Sequence, residues 1–350
     1  MKILGNLEID YIVDPAIATV GYINFTSPTP GNATTTANTS IVINVSVIEQ
    51  NLSDFAWNWN ATNYTFYNNS LILMFNFDNV SSLGEGGNKT YDSSIFSNNG
   101  TCYQSAYGMN CNYNASGKYD RTIQFNGSIY VKMPNSNIFS FGTNSFTLAS
   151  WIRFRSLTGL QNIFAYSTAS GAVQFYWNGS EFFVYGQTSG VLNTLNAKIN
   201  TNQWYYVVYN RNVNNWTIYI NNTPYASVTD TRSMAAPNHA NGMMIGAEVT
   251  APSQFWDGSI DELRIWNRSL SANEISQHYN SNLYKFNITN WSFVSNQSSL
   301  TNGIYTYYGY AKDSSNQGNA TETRQLNIGD VVNPQISFVA PTIGNNTQTA

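Results

Sequence analysis

Groups able to do acid–base chemistry are scarce in this sequence. The 350 residues include 19 acidic side chains and two histidines, His239 and His278. We expect His278 to lie on the surface of a helix. Asp261 and Glu262 are adjacent, so an extended strand would point them to opposite faces. Because the nucleophile, zinc-protease and phosphate-loop motifs are also missing, the sequence predicts a protein without catalytic activity.

The two cysteines form the clearest local pair. Cys102 and Cys111 lie in CYQSAYGMNC, a spacing suited to a bridge across a hairpin. The chain contains no C-x-x-C, and neither histidine is close enough in sequence to suggest a local metal site. We therefore predict a disulfide, which indicates an oxidising compartment.

Aromatic side chains are the main candidates for binding sugars. Aromatic residues make up 15% of the chain. By strand alternation alone, Trp177 and Tyr185 are our carbohydrate-binding candidates, because Trp177 lies beside a predicted hairpin tip. Trp151, Trp204 and Tyr206 are weaker candidates on the same reasoning. Packing in a hydrophobic core is the alternative for each of them.

Asparagine is roughly one residue in seven, and about 22 asparagines begin an Asn-x-Ser/Thr triplet. Chance explains several in so Asn-rich a chain. Charged residues are only 10%, however, and attached sugars would keep such a surface soluble. The predicted glycosylation sites include Asn24, Asn32, Asn44, Asn60, Asn79, Asn99, Asn126, Asn178, Asn215, Asn221, Asn267, Asn287 and Asn319.

Composition also limits the partners. The net charge is −4 at pH 7, and no Lys/Arg cluster suits a phosphate backbone, which argues against nucleic acid. No stretch reaches the roughly 20 apolar residues of a membrane span. Residues 1–10 lack the apolar region of a signal peptide. We predict an extracellular or cell-surface protein whose partners are glycans or other surface proteins, and which forms one piece of a longer chain.

Strand patterns dominate the sequence. Apolar and polar residues alternate along residues 40–47. Residues 55–66 read as two strands around a turn, and residues 71–77 are almost continuously apolar. Residues 122–133 and 175–185 predict hairpins with Asn-Gly tips. Strands at 204–209 and 216–220 predict another. Along FTLASWIRF, both faces carry apolar residues, which favours a two-sheet sandwich whose second face lines a groove.

One helix interrupts this pattern. Ser271-Ala272-Asn273-Glu274 is a capping box, in which the serine hydroxyl and Glu274 each satisfy a free backbone N–H. Leu270 and Ile275 can pack together across the cap. The sequence therefore predicts one short helix over residues 272–280.

Several pieces between residues 71 and 283 together resemble the laminin-G-like, concanavalin A-like jelly-roll family. They are LILMFNFDN, YDSSIFSNNGT, TIQFNGSIYVKMP, FTLASWIRF, WYYVVY, WTIYINNTPY and GSIDELRIWNRSLSANEI, in the family's order. The resemblance implies an all-β fold, with a jelly-roll sandwich closed by the capped helix.

The resemblance also suggests a metal and a possible activity. Asp78, Asp92 and Asp261 match acidic positions of the family's motifs, some of which bind calcium in related members; turn capping is the alternative role. The long loop between Asp78 and Asp92 departs from the family. Related glucanases carry E-x-D-x-x-E on one strand, which this chain lacks. Calcium is accordingly the one cofactor we predict.

The flanking segments are each too short to form a domain. Residues 21–69 and 284–330 predict only a few strands apiece, but together they approach the roughly 100 residues of an immunoglobulin-like sandwich. We interpret residues 70–283 as a jelly roll inserted into such a domain. Three independent domains in series are the alternative.

The two ends of the chain resemble each other. L-x-I, V-D/N-P, I-x-F and P-T-x-G-N recur in this order near the start and from Leu326 onward. Residues 1–20 then read as a linker or the end of a preceding repeat, and residues 331–350 as the start of the next. Chance similarity is one alternative; self-association, in which a terminal strand completes another copy's sheet, is another.

Three functions follow from these features. The leading hypothesis is a glycosylated repeat unit of a surface protein, used for adhesion, a surface layer or a filament, in a style that leans archaeal. A glycan-binding lectin module is the alternative, and a relative of glycoside hydrolases is a weaker one.

Overall fold

The computed structural model describes residues 21–329, apart from 105–107, 109, 169–170, 188, 195–196, 239–241 and 250–251. The repeated segments at the two ends lie mostly outside the described residues, and so does His239. The chain begins with β1 (Ile23–Thr26), β2 (Thr34–Thr36), β3 (Ile41–Ile48), β4 (Leu52–Trp59) and β5 (Thr62–Tyr67).

The central part of the chain is also built from strands. It contains β6 (Leu71–Phe75), β7 (Lys89–Thr90), β8 (Gly100–Gln104), β9 (Tyr113–Asn114), β10 (Thr122–Asn126), β11 (Ile129–Met133), β12 (Phe146–Phe154), β13 (Gln161–Thr168), β14 (Gly171–Trp177), β15 (Phe182–Gln187), β16 (Ser189–Asn193), β17 (Trp204–Asn212), β18 (Asn215–Ile220), β19 (Thr223–Thr229), β20 (Met243–Ile245) and β21 (Asp257–Trp266). Short 3-10 turns occur at Ser81–Leu83 and Asn137–Phe139.

A helix and a last group of strands complete the fold. These are α1 (Ala272–Asn280), β22 (Ser281–Lys285), β23 (Asn290–Gln297), β24 (Gly303–Asp313), β25 (Gly318–Ala320) and β26 (Arg324–Ile328). The predicted capping box is confirmed, since the Ser271 hydroxyl accepts from the N–H of Glu274 and the Glu274 carboxylate accepts from the N–H of Ser271. The predicted all-β class is confirmed as well.

The strands form two sandwiches. In the smaller one, a sheet of order β1-β3-β23-β22 packs on a sheet of order β2-β26-β24-β4-β5, with β25 beside β24. The segments before and after the central part therefore pair directly, β3 with β23 and β4 with β24. Phe55, Trp57 and Phe293 are fully buried between the two sheets.

The larger sandwich consists of two eight-stranded sheets. The inner sheet, which faces the smaller sandwich, has the order β19-β18-β17-β12-β21-β10-β9, with β6 beside β21. The outer sheet has the order β16-β15-β14-β13-β20-β11-β8-β7. Strands β10 and β11 were predicted to form a hairpin, but they lie in different sheets. The Asn126-Gly127 turn therefore connects the two layers of the sandwich.

Both sides of the inner sheet are buried. Along β12, Leu148 and Ile152 belong to the core of the larger sandwich. Ala149 and Trp151 instead share a core with residues of the smaller sandwich, and the Trp151 ring stacks on Tyr279 of α1 at 5.3 Å. The second face was predicted to line a groove; it is covered by the smaller sandwich and the helix, because so apolar a face is removed from water.

A buried hydrogen-bonded network, built around an ion pair on β21, joins the two sandwiches. Arg264 of β21 binds Glu262 of the same strand at 2.8 Å, and the two side chains are 5% and 2% exposed. The same guanidinium group donates to the Asn282 side chain and to the Leu283 carbonyl of β22. Glu262 also accepts from Asn282 and Asn76. One hydrogen-bonded network therefore connects the last strand of the larger sandwich to an edge strand of the smaller.

We expect the change Arg264→Met to destabilise the protein by about 3–5 kcal/mol, because it leaves the Glu262 carboxylate buried without its cation. Adding Glu262→Gln should recover part of this loss, since an amide still bonds to the neighbouring asparagines. Urea unfolding followed by tryptophan fluorescence measures both variants.

Arg268→Met is the matched control. Arg268 pairs with Glu274, but these side chains are 31% and 20% exposed, so we expect a loss of about 1 kcal/mol or less. Equal losses for Arg264→Met and Arg268→Met would show that the buried network does not stabilise the junction.

Candidate functional site

A groove on the exposed face of the outer sheet is our candidate binding site. It has a volume of about 500 Å³. Strands β14 and β15 supply its floor, and Glu248, Ser253 and Gln254 supply one wall. We call it the aromatic groove. Its lining is Leu160, Gln174, Tyr176, Tyr185, Glu248, Ser253 and Gln254.

Strand alternation builds the floor of the aromatic groove. Phe175, Trp177, Phe182 and Val184 point into the core, so their neighbours point outward. On this outward face, Gln174 of β14 lies opposite Tyr185 of β15, and Tyr176 lies opposite Phe183.

Two aromatic rings form a flat surface on the outward face of β14 and β15. The rings of Tyr176 and Phe183 stack nearly parallel, with centroids 5.4 Å apart and an interplanar angle of 27°. The result is a flat aromatic surface on the outer sheet, a shape that suits a ring-shaped ligand.

The polar groups of the floor are free to bind a ligand. Within the part of the chain that the structure describes, the Gln174 amide and the hydroxyls of Tyr176 and Tyr185 make no hydrogen bond to protein. All three side chains are only partly exposed. Burial, with a smaller effect of Tyr185, raises the pKa of Tyr176, so its hydroxyl stays protonated and can both donate and accept.

The wall of the aromatic groove is held by specific hydrogen bonds. The N–H of Glu248 donates to the Ser253 carbonyl at 2.9 Å. The N–H of Asn162 donates to the Gln254 carbonyl, and its side-chain amide donates to the Gln254 side chain. Since these bonds fix the wall against β13, the groove is formed before any ligand arrives.

The sequence candidates for sugar binding divide between groove and core. Tyr185 lines the aromatic groove, whereas Trp177 is only 2% exposed and its indole N–H donates to the Leu157 carbonyl. Trp177 faces the core because it is three positions from Gln174 on the opposite side of β14. Trp151 and Tyr206 lie in the core shared by the two sandwiches.

Six groove residues were missed from the sequence, namely Leu160, Gln174, Tyr176, Glu248, Ser253 and Gln254. Gln174 and Tyr176 share the alternation of the 175–185 hairpin, so the pairing of that hairpin was the signal that could have found them. Glu248 lies in the wall, about seventy residues further along the chain, and no local sequence pattern indicates that it lines the same groove as the hairpin.

A second polar site lies between the two sandwiches. Asp78, Tyr119 and Asp120 of the larger sandwich and Tyr284 of the smaller line a cleft of about 190 Å³. Asp78 accepts a hydrogen bond from the N–H of Arg121 at 3.2 Å. Burial, followed by the charge of Glu262, raises the pKa of Asp78 to about 9. This carboxyl therefore holds its proton at neutral pH when no cation neutralises it.

Asp261 and Glu262 lie on the same side of β21, so the prediction of opposite faces was wrong. Ile260 and Leu263, which flank them, both face the core of the larger sandwich. The register shifts at this point opposite β12, and Glu262 has a φ of 50°. This β-bulge turns both carboxyls away from the core. Asp261 then accepts from the N–H of Lys118 at 2.7 Å, while burial raises its pKa well above the usual range.

The Asp92 carboxylate accepts hydrogen bonds that hold its loop against β6. One carboxylate oxygen accepts from the N–H groups of Met74 and Ser94, and the other accepts from the N–H of Asn98 and the Ser94 hydroxyl. Four donors leave this carboxylate little capacity for a metal. In the described ranges, no three His, Cys, Asp or Glu side chains are placed to hold a metal ion. Asp78, Asp92 and Asp261 therefore do not fit a shared calcium site, and calcium stays a prediction.

His278 is buried, contrary to the prediction of a surface position. Its ring lies 4.3 Å from that of Phe66 and 4.9 Å from that of Trp266. Burial first, and then Arg264 and Arg268, hold its pKa well below the usual value. The helix turns this side chain inward because α1 packs on both sandwiches and has little exposed surface.

The two cysteines form the predicted disulfide, which joins β8 to the segment that precedes β9. Among the described residues, no helix is long and apolar enough to cross a membrane.

We expect Asp78→Asn to stabilise the protein at pH 8 but not at pH 4, in buffer with EDTA. The folded-state pKa of about 9 is raised, so the stability that the protonated carboxyl contributes is present below pH 4 and is lost as the pH rises towards 9. Asparagine removes this loss and keeps an oxygen for the Arg121 N–H. Thermal melts should show a midpoint increase of about 5 °C at pH 8.

Asp120→Asn, an exposed change in the same cleft, serves as the control. Its charge is the weakest of those that raise the pKa of Asp78, so we expect a much smaller pH-dependent gain. A gain of equal size at both pH values would contradict the role of the Asp78 proton. Repeating the melts with calcium chloride tests the calcium prediction, since a bound cation would raise the midpoint of the unchanged protein and not that of Asp78→Asn.

Similarity to known proteins is limited to the fold. Residues 125–276 match the family model described as the concanavalin A-like lectin/glucanases superfamily. No curated protein is significantly similar to the chain in sequence.

Among solved structures, domain 4 of an extracellular arabinanase from Geobacillus stearothermophilus, in complex with arabinotriose, is 21% identical with a TM-score of 0.48; the match covers 59% of this chain and 97% of that domain. The binding domain of botulinum neurotoxin DC, in complex with SialylT, is 16% identical with a TM-score of 0.43, covering 61% of this chain and 51% of that one. The Trypanosoma rangeli sialidase is 14% identical with a TM-score of 0.41, covering 61% and 33%. The family match alone supports a concanavalin A-like lectin/glucanase fold for residues 125–276, as predicted for the centre of the chain.

Proposed function

We propose that the chain is a glycan-binding module of an extracellular protein and that the aromatic groove is its sugar site. The observation that carries this proposal is the set of free polar groups on the floor of the groove. The Gln174 amide and the two tyrosine hydroxyls can bond to sugar hydroxyls, while the ring of Tyr176 offers a flat apolar surface to the C–H face of a sugar.

Glycosylation triplets are scarce in the part of the chain that supplies the floor of the groove. Residues 127–214, which include β11–β17, hold 12 asparagines but only one Asn-x-Ser/Thr triplet, at Asn178. The rest of the chain holds 39 asparagines and 21 triplets. Asparagine is about equally common in both parts, so composition does not explain the difference. Few attached sugars are therefore expected near the groove, with Asn178, in the connection between β14 and β15, as the exception.

The groove favours binding over hydrolysis. Canonical glycosidases place two carboxyl groups across the scissile bond. Among the described residues that line the aromatic groove, Glu248 alone carries a carboxylate. We therefore propose a non-catalytic role for the chain.

The smaller sandwich supports a second candidate function, a structural unit of a surface layer, filament or tandem adhesin. We propose that β1–β5 and β22–β26 form one immunoglobulin-like domain that holds the larger sandwich as an insertion. The pairing of β3 with β23 and of β4 with β24 supports this interpretation. The disulfide supports an extracellular location, and the Asn-rich composition supports an archaeal source.

Two variants test the sugar site, Tyr176→Ala and Gln174→Ala. On an array of neutral and acidic oligosaccharides, we expect the unchanged chain to bind a restricted set of glycans. Titration calorimetry with the best oligosaccharide should then show a loss of about 10-fold in affinity for each variant, equivalent to about 1.4 kcal/mol.

Tyr103→Ala is the control, since Tyr103 lies on β8, four strands away in the same sheet and outside the groove. It should bind as tightly as the unchanged chain. An array without specific binding, or equal losses in all three variants, would argue against the groove as a sugar site and favour the structural role.

A further inference from the structure

Four Asn-x-Ser/Thr triplets in the described part of the chain share one geometry. In each, the asparagine Oδ1 accepts both the N–H and the hydroxyl of the residue two positions later. The hydroxyl distances are 2.6 Å at Asn68, 2.8 Å at Asn126, 3.1 Å at Asn178 and 3.3 Å at Asn287. The corresponding N–H distances are 2.9, 3.1, 3.0 and 2.9 Å.

This geometry leaves the reactive atom of each side chain free. Because Oδ1 faces the chain, the amide nitrogen Nδ2 is directed away from it, and in none of the four does Nδ2 donate to a described residue. Asn68, Asn178 and Asn287 lie in connections between strands, and Asn126 is the last residue of β10. Asn126 is exposed while the other three are partly exposed. The hydroxyl bond to Oδ1 also polarises the amide that must act as a nucleophile.

Two triplets differ in the direction of the amide nitrogen. The Nδ2 of Asn44, within β3, donates to the Ser27 carbonyl at 3.1 Å, and its Oδ1 is buried without a partner. The Nδ2 of Asn114, the last residue of β9, donates to the Gln124 side chain at 2.9 Å. The Oδ1 of Asn114 accepts the Ser116 N–H at 2.8 Å, as in the four triplets above, but not the Ser116 hydroxyl. In both triplets the nitrogen is turned toward the protein.

We propose that the folded protein carries N-linked glycans at Asn68, Asn126, Asn178 and Asn287 and none at Asn44 and Asn114. The donor is an oligosaccharide activated as a diphosphate ester, and a transferase supplies the base. Nδ2 attacks the anomeric carbon, the C–N bond forms as the C–O bond to the diphosphate breaks, and one amide proton passes to the base. The six assignments go beyond the proposed sugar-binding function and do not depend on it.

The test is site-resolved occupancy of the full chain, secreted from a host that N-glycosylates its proteins. The purified protein is treated with peptide N-glycosidase F in H₂¹⁸O, which labels each former glycan site as aspartate, and the peptides are quantified by mass spectrometry. We expect occupancy at the four open sites to exceed that at Asn44 and Asn114 by at least about 10-fold, the ratio of a 1.4 kcal/mol difference.

Two variants separate geometry from the triplet itself. Ser180→Ala should remove the label at Asn178 and leave Asn68, Asn126 and Asn287 unchanged. Ser46→Thr keeps a hydroxyl in the Asn44 triplet and the direction of Nδ2, so Asn44 should remain empty. Occupied Asn44 or Asn114 in the folded, secreted protein would overturn the proposal, and so would empty open sites beside occupied ones elsewhere or a chain without any label.

Discussion

The buried contact of Arg264 with Glu262, Asn282 and the Leu283 carbonyl is the interaction on which the arrangement of the two sandwiches depends. It joins β21, at the end of the larger sandwich, to β22, at the edge of the smaller. A buried ion pair adds little net stability compared with apolar residues, but an arrangement that separated its partners would leave a charge unpaired away from water. The network therefore selects one docking geometry among the many that apolar surfaces alone would allow.

That geometry decides which surfaces remain available to a ligand. The apolar outward side of the inner sheet, including Trp151 and Tyr206, is used to join the sandwiches. The exposed side of the outer sheet is left, and there β14 and β15 present Gln174, Tyr176 and Tyr185 beside a wall held by Asn162. The same part of the chain is almost free of glycosylation triplets. The docked sandwiches and the groove thus support one interpretation of the molecule, in which the exposed side of the outer sheet is the binding face.

Local patterns predicted local structure well. The helix and its capping box have the predicted bounds, because the signals for both lie within ten residues. The hairpin at Asn178-Gly179 was also correct, and it brought Tyr185 to the groove. The Asn126-Gly127 turn was not a hairpin, since an Asn-Gly turn reverses the chain but does not decide which strands pair with β10 and β11. The β-bulge at Glu262 was not predicted, because the rule that side chains alternate between faces applies only to a regular strand.

By itself, the sequence determined the all-β class, the disulfide and the turn positions, because each follows from residues that are close along the chain. The tertiary structure alone decided that Trp177 and His278 are buried, that Asp92 anchors a loop, and that Glu248 and Tyr185 line the same groove. It also decided which asparagine nitrogens face outward. These outcomes depend on contacts between residues tens of positions apart, and their free energy comes from burial and hydrogen bonds that exist only after the sheets have packed.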